Sequence, residues 1–221
     1  MSFHEQLIDA TAAERAHFLA APVIADCLQG RVRPESYLAF LGQAYHHVRH
    51  TTPLLMTLGG RLPERLSWLR RAVAEYIDEE IGHEEWILSD ITAAGGDAAA
   101  VRMSRPDLPA EVMIAYAYDL LSRGNPAAFF GMVFVLEGTS VALALQAADR
   151  IQQALALPNA AFTYLRSHGT LDQEHTRHLA ALLERMTPAD QDDVVHSARV
   201  FYKLYGDVFR ALSSVGERSC N

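Results

Sequence analysis

Between residues 127 and 148 the chain runs for 22 residues with one charged side chain, Glu137, among Ala, Val, Leu, Phe and Met. A helix of that composition has no broad polar face to turn to water, so other elements must surround it. Its length would also span a bilayer. The richness in alanine, the presence of Thr139, Ser140 and Gln146, and the acid at the middle fit a central helix wrapped by others better than a lipid-facing one.

The remainder supplies the wrapping. The long segments follow the helical period, and no run alternates in the manner of a strand. Pro34 opens a helix over 34–58 that Gly59-Gly60 stops, and Pro63 opens the next, over 63–94, before Gly95-Gly96. Pro109 starts a shorter helix ending at Arg123-Gly124. Asn125-Pro126 caps and starts the apolar one, which stops before Pro158. Residues 159–186 form another helix, and Thr187-Pro188 begins the last. The expectation is an all-α bundle of about seven helices, one domain over residues 1–221.

The net charge of −8, with no basic cluster against it, excludes nucleic acid and anionic membrane surfaces as partners. Two cysteines, Cys27 and Cys220, make no framework of bridges, and the N-terminal segment is polar and helical rather than a signal peptide. These features lead us to expect a reduced, cytoplasmic protein.

Burying a lone carboxylate costs several kcal/mol, so Glu137 needs company. It shares its face with Phe130, Val133, Val141, Ala144 and Ala148. On helix 63–94, Leu66, Leu69, Val73, Tyr76, Ile77, Ile87 and Ile91 define one face. Glu80 lies on that face and His83 one turn further along the same side. Their neighbours Asp78, Glu79, Glu84 and Glu85 form an acidic run, in which Glu84 rivals Glu80 as the inward acid. On helix 159–186, His168, Asp172 and His175 follow i, i+4, i+7 spacing along a face completed by Ala161, Tyr164, Leu165, Leu179 and Leu182, with Glu174 and His178 off it. Three carboxylates and three imidazoles without a thiolate suit iron or manganese, and six such groups aimed inward need a common partner. A pair of metal ions is that partner.

Tyr45, His46, His47 and His50 form a further group, better suited to lining a pocket or hydrogen-bonding the ligands than to ligation, because no carboxylate accompanies them. Tyr45, His47, Arg49, His50, Met56 and Phe130, together with Phe129 and Met132, are the candidate walls of an apolar substrate pocket.

Three stretches carry a resemblance. LQGRVRPESYLAFLGQAYHH at 28–47 resembles the opening helices of thiaminase II and pyrroloquinoline quinone synthase C proteins, and VLEGTS at 135–140 is similar to the distal helix of bacterial haem oxygenases. Glu80-x2-His83, Glu137 and His168-x3-Asp172-x2-His175 together resemble the ligand pattern of the haem-oxygenase-like di-iron oxidases and oxygenases. The resemblance implies a haem-oxygenase-like fold, two Fe ions, O2 as co-substrate and a small organic substrate of the fatty-acid or amino-acid class. Arg49 is then a candidate for holding its carboxylate. In that assignment Glu80, His83 and His168 bind one ion, Asp172 and His175 hold the other, and Glu137 bridges them as the catalytic carboxylate. A homodimer is expected, and the chemistry leaves room for an electron donor. One departure stands out: some relatives carry the first glutamate two turns before the histidine, where this chain has Tyr76.

Other relatives' chemistries lack their parts. Thiaminase II needs a cysteine on the apolar helix and an aspartate in a Gln-Asp-Tyr triplet. Here that helix has no cysteine, and the triplet is Gln43-Ala44-Tyr45. Haem oxygenases follow the Leu-Glu-Gly run with paired glycines. Here Val141, Ala142 and Leu143 stand instead, with His17 as the candidate axial ligand. The alternative left standing is a small-ligand-binding protein of this fold without di-iron chemistry.

Overall fold

The apolar segment forms the long helix α10 (Phe130–Leu155), led in by a 3-10 turn (Pro126–Phe129) that Asn125 caps by accepting a hydrogen bond from the Ala127 amide. The computed structural model describes residues 1–213, excepting the side chains of 170–174 and 213. Among them are twelve α-helices, three short 3-10 helices and no strand. Before α10 come α1 (Phe3–Ala10), α2 (Ala12–Leu19), α3 (Pro22–Leu28), α4 (Pro34–Val48), α5 (Thr51–Arg61), α6 (Arg70–Glu80), α7 (His83–Ala93), α8 (Ala98–Met103) and α9 (Leu108–Arg123). After it come α11 (Thr163–Leu183) and α12 (Pro188–Ser213). Helix α10 packs chiefly against α11 and α12. By length and composition it could cross a membrane, yet half of its most apolar window is buried within the protein. The wrap is incomplete, because Val141 and Leu145 reach the surface.

Two of the helices beyond the expected seven or so arise because long helices are broken, with local causes, and the others are α8 and the division of residues 3–28 into α1–α3. Pro53 has no amide to donate to the Arg49 carbonyl and its ring crowds that carbonyl, so the ladder lapses at Arg49-His50 between α4 and α5. Gly59-Gly60 does not stop α5, which continues to Arg61. Residues 64–69 wind as a 3-10 helix, and the helix beyond is cut again at Ile81-Gly82. There Gly82 takes φ +92°, a left-handed conformation that glycine reaches without the Cβ clash other residues suffer.

Two apolar cores result. One joins α1, α2, α5, α6, α9 and α12 to the first half of α10 through Leu7, Phe18, Leu58, Leu69, Phe130 and Phe201. The other joins α4, α7 and the start of α11 to the second half of α10 through Tyr37, Leu41, Ile87, Ile91, Phe162 and Leu165. At the start of α12, buried Asp190 is held from several sides. Arg65 donates to both its oxygens (2.6 and 2.8 Å), Asn125 Nδ2 to one (2.8 Å) and Thr187 Oγ1 to the other (2.6 Å). Burial pushes the Asp190 carboxyl up, but the hydrogen bonds from Arg65, Thr187 and Asn125 outweigh it and hold the group well below the usual range.

Candidate metal centre

The site is assembled by a cap shared between helices. Asp90, fully buried on α7, accepts hydrogen bonds from the amides of Thr163 (3.0 Å) and Tyr164 (2.8 Å). These are the first two residues of α11, whose own N-cap, Phe162, offers no side-chain bond. A helix start leaves its first amides without partners, and here a carboxylate from α7 takes two of them. The cap fixes the start of α11 against α7. Running back along α7 to its first residue and forward along α11 then brings His83 and His168 together, their rings 4.8 Å apart and near perpendicular. Gly169 lets α11 come close at this level, since a Cβ there would lie 2.7 Å from Leu145 Cγ.

Glu80 ends α6 and His83 begins α7. Sequence spacing placed them one turn apart on a continuous helix. The structure brings them together across the break instead, with His83 Nδ1 3.2 Å from Glu80 Oε2. That contact is close but misaligned, and His83 Nδ1 makes no hydrogen bond although it is buried. The ring is braced by Trp86, stacked at 4.0 Å. With His168 the pair forms a cluster whose candidate ligand atoms all lie within 4.8 Å of one another. Glu84, the rival to Glu80, is not part of it.

A second group lies alongside. Glu137 Oε1 is 3.7 Å from His175 Nδ1, and the opposite ring nitrogen, Nε2, is 2.9 Å from Glu79 Oε2. Glu79 therefore holds the histidine so that Nδ1 faces Glu137, the arrangement in which an outer carboxylate orients a ligating imidazole. Tyr76 packs edge-on against His175 at 5.7 Å. The Asp172 side chain lies outside the described residues. His178 is exposed and packs on Tyr76.

Glu80, Glu137 and His168 open onto a cavity of about 250 Å³ at the seam of the two cores. Its walls are mostly apolar, with Val48, Phe129, Met132, Leu136, Leu143 and Leu165 among them. Of the eight pocket candidates read from sequence, His47, Phe129 and Met132 line it, and Tyr45, Arg49, His50, Met56 and Phe130 do not. Phe130 is wholly buried in the first core, and Met56 is 57% exposed. Tyr45 is packed in the second core with exposed Arg49 over its ring, and His50 bonds the Tyr118 hydroxyl at 3.0 Å. His46 likewise bonds Ser104 Oγ at 2.9 Å. The break at Arg49-His50 rotates everything beyond it away from an unbroken helix's phase. Arginines do reach the cavity, but they are Arg31 and Arg33, from the turn between α3 and α4. His17, the candidate axial haem ligand, is exposed and does not line the cavity.

The donor set suits iron. Carboxylate and imidazole are the ligands that Fe(II) accepts readily, and a buried imidazole nitrogen without a hydrogen bond beside a carboxylate favours a cation between them. The residues present fit the group.

Fold and site together define a haem-oxygenase-like helical protein with a candidate metal centre, and comparison agrees. A family model described as iron-containing redox enzyme matches residues 38–206, and the chain belongs to that family. No curated protein sequence matches it. A domain of unknown function with a heme oxygenase-like fold from Shewanella denitrificans OS217 superposes with a TM-score of 0.85 at 23% identity, covering 98% of this chain and 94% of that one. A TenA homologue from Pseudomonas syringae pv. tomato gives 0.79 at 11% identity, over 95% and 92%. Heme oxygenase-1 from the cyanobacterium Synechocystis, solved with heme, gives 0.77 at 11% identity, over 99% and 96%. At these identities the likeness shows the haem-oxygenase-like fold.

Proposed function

We propose that this iron-containing redox enzyme is a non-haem di-iron protein that uses O2 to oxidise a small, mainly apolar organic substrate. The observation that carries the reading is the Glu80–His83–His168 cluster opening onto an apolar cavity. Glu80, His83 and His168 would hold one ion. Glu137 and His175, with Asp172 from the same helix as His175, would hold the other. Iron bound there supplies reductive activation of O2.

The chain's own groups do the rest. Glu79 keeps His175 turned towards Glu137, and Glu137, which faces both the cavity and His175, is placed to serve either ion. Phe129, Met132, Val133, Leu136 and Leu143 exclude water and grip an apolar chain. Such walls favour a fatty-acid-like substrate over an amino acid, with Arg31 or Arg33 as the partner of a carboxylate.

Anaerobic Fe(II) reconstitution followed by metal analysis tests the reading. About two irons per chain are expected, without a haem absorption band. His168→Ala should lower the iron content, whereas His178→Ala, on the exposed side, should leave it unchanged. A reconstituted wild type that holds no iron overturns the proposal.

A further inference from the structure

His47 is a strongly buried polar group of the cavity that belongs to neither metal cluster, and its bonding fixes what it offers. The residue is 4% exposed and lines the cavity. Its Nδ1 lies 3.1 Å from the backbone carbonyl of Gln43, one turn back on α4. A carbonyl can only accept, so Nδ1 carries the ring's proton and Nε2 presents a lone pair. Among the described residues Nε2 has no hydrogen-bond partner, and the ring is steadied edge-on against Tyr205 at 5.8 Å. The chamber's apolar walls offer this acceptor no donor, and a donor on a ligand can supply one.

The surroundings narrow the donor further. Burial first, then the imidazoles of His168, His50 and His46, pull the His47 pKa down to about 4 despite the bond to Gln43, so the ring is neutral at pH 7. A carboxylate has no proton to give this acceptor, whereas a hydroxyl or an amide N–H can give one without carrying a charge into an apolar chamber.

We propose that His47 is the hydrogen-bond acceptor against which this cavity seats its ligand, and that the ligand is an apolar molecule carrying a hydroxyl or an amide N–H. This deepens the proposed function, resting on the cavity being the substrate site, but it does not depend on iron. Its test uses metal-free protein, so its failure is separate from a failure to bind metal.

The probes are two isomers, 1-octanol and heptyl methyl ether, alike in size and oil-likeness but differing in the donor. Binding is read by displacement of a fluorescent apolar dye, in wild type and in His47→Phe, which keeps an aromatic ring and loses the acceptor. Wild type should prefer the alcohol by about tenfold, the value of one modest hydrogen bond, and the variant should bind both alike. In wild-type protein the 15N resonance of His47 Nε2 should sit at the unprotonated position and move when octanol, but not the ether, is added. That second measurement needs no variant. An equal preference in wild type and His47→Phe, a proton found on Nε2, or binding of neither isomer overturns the proposal.

Discussion

Asp190 and Glu80 are both carboxylates drawn in from solvent, and the chain treats them in opposite ways. Asp190 meets a guanidinium, an amide and a hydroxyl, with a donor for each oxygen's main direction. Its charge is neutralised by Arg65, and the cluster ties the 3-10 helix at 64–69 and the Asn125 turn to α12. The ion pairs that described residues make with Glu80 and Glu137 are instead to imidazoles, at 3.2 and 3.7 Å. A guanidinium is always charged, whereas an imidazole is neutral over much of the physiological range and binds metals through a lone pair. One cluster is complete as protein. The other is built from groups that a cation completes.

The contrast predicts opposite responses to mutation. The largest effect on folding belongs to Asp190→Ala, which removes the hub from Arg65, Asn125 and Thr187. It should cost about 3 kcal/mol in urea unfolding while the folded fraction still takes up iron. Because the folded-state pKa of Asp190 is depressed, its contribution is present above the unfolded carboxylate pKa and is lost as pH falls through the folded value. That part of the acid sensitivity, below about pH 4, should be missing in Asp190→Asn.

Glu137→Gln should behave the other way. In metal-free protein it removes a buried charge and should leave stability within about 1 kcal/mol of wild type or raise it. Iron content should nonetheless fall, read by metal analysis after identical reconstitution. Loss of stability on the scale of Asp190→Ala would make Glu137 a structural acid and erase the distinction between the regions.

The smallest effect sharpens it. Gly82→Ala should cost about 1 kcal/mol, because alanine resists φ +92°, and should weaken iron binding by turning His83 from Glu80. Gly60→Ala, in open space within α5, should be neutral or stabilising and leave iron binding alone. Equal metal affinity in the two variants would show that the joint at Gly82 does not set the site.

Much of this was legible in the sequence, and the gaps have physical reasons. The all-helical class followed from periodicity, and the residues of the Glu80–His83–His168 cluster followed from ligand types on inward faces. Their means of meeting did not, because i, i+3 spacing looks the same along an intact helix and across a one-glycine joint. Pro53 lies within the expected helix 34–58 but was not read as its breaker, and its effect on phase shows only in three dimensions. Arg49 and Met56 were named for residue type, cationic and apolar, and type alone does not say which way a side chain faces. Glu79 read as one more acid in an exposed run, since its partner His175 sits on a distant helix. The cavity wall between α3 and α4 has no periodicity to reveal it, so Arg31 and Arg33 went unnoticed. His178 and Glu84 show the reverse case, where angle alone sufficed for the first and left the second undecided.

The joint at Gly82 has a further consequence. The residues before it, such as Val73 and Tyr76, pack in one core, and those after it, such as Ile87 and Ile91, pack in the other. His83 is thus aimed by two backbone torsions rather than by a long rod shared between its neighbours. A substitution that shifts one core can be absorbed at the pivot without dragging the imbedded ligand along, and a change at the pivot can re-aim the ligand without repacking either core. The fold keeps its adjustable part and its rigid parts on separate residues, which leaves the centre free to be retuned while the bundle around it stays the same.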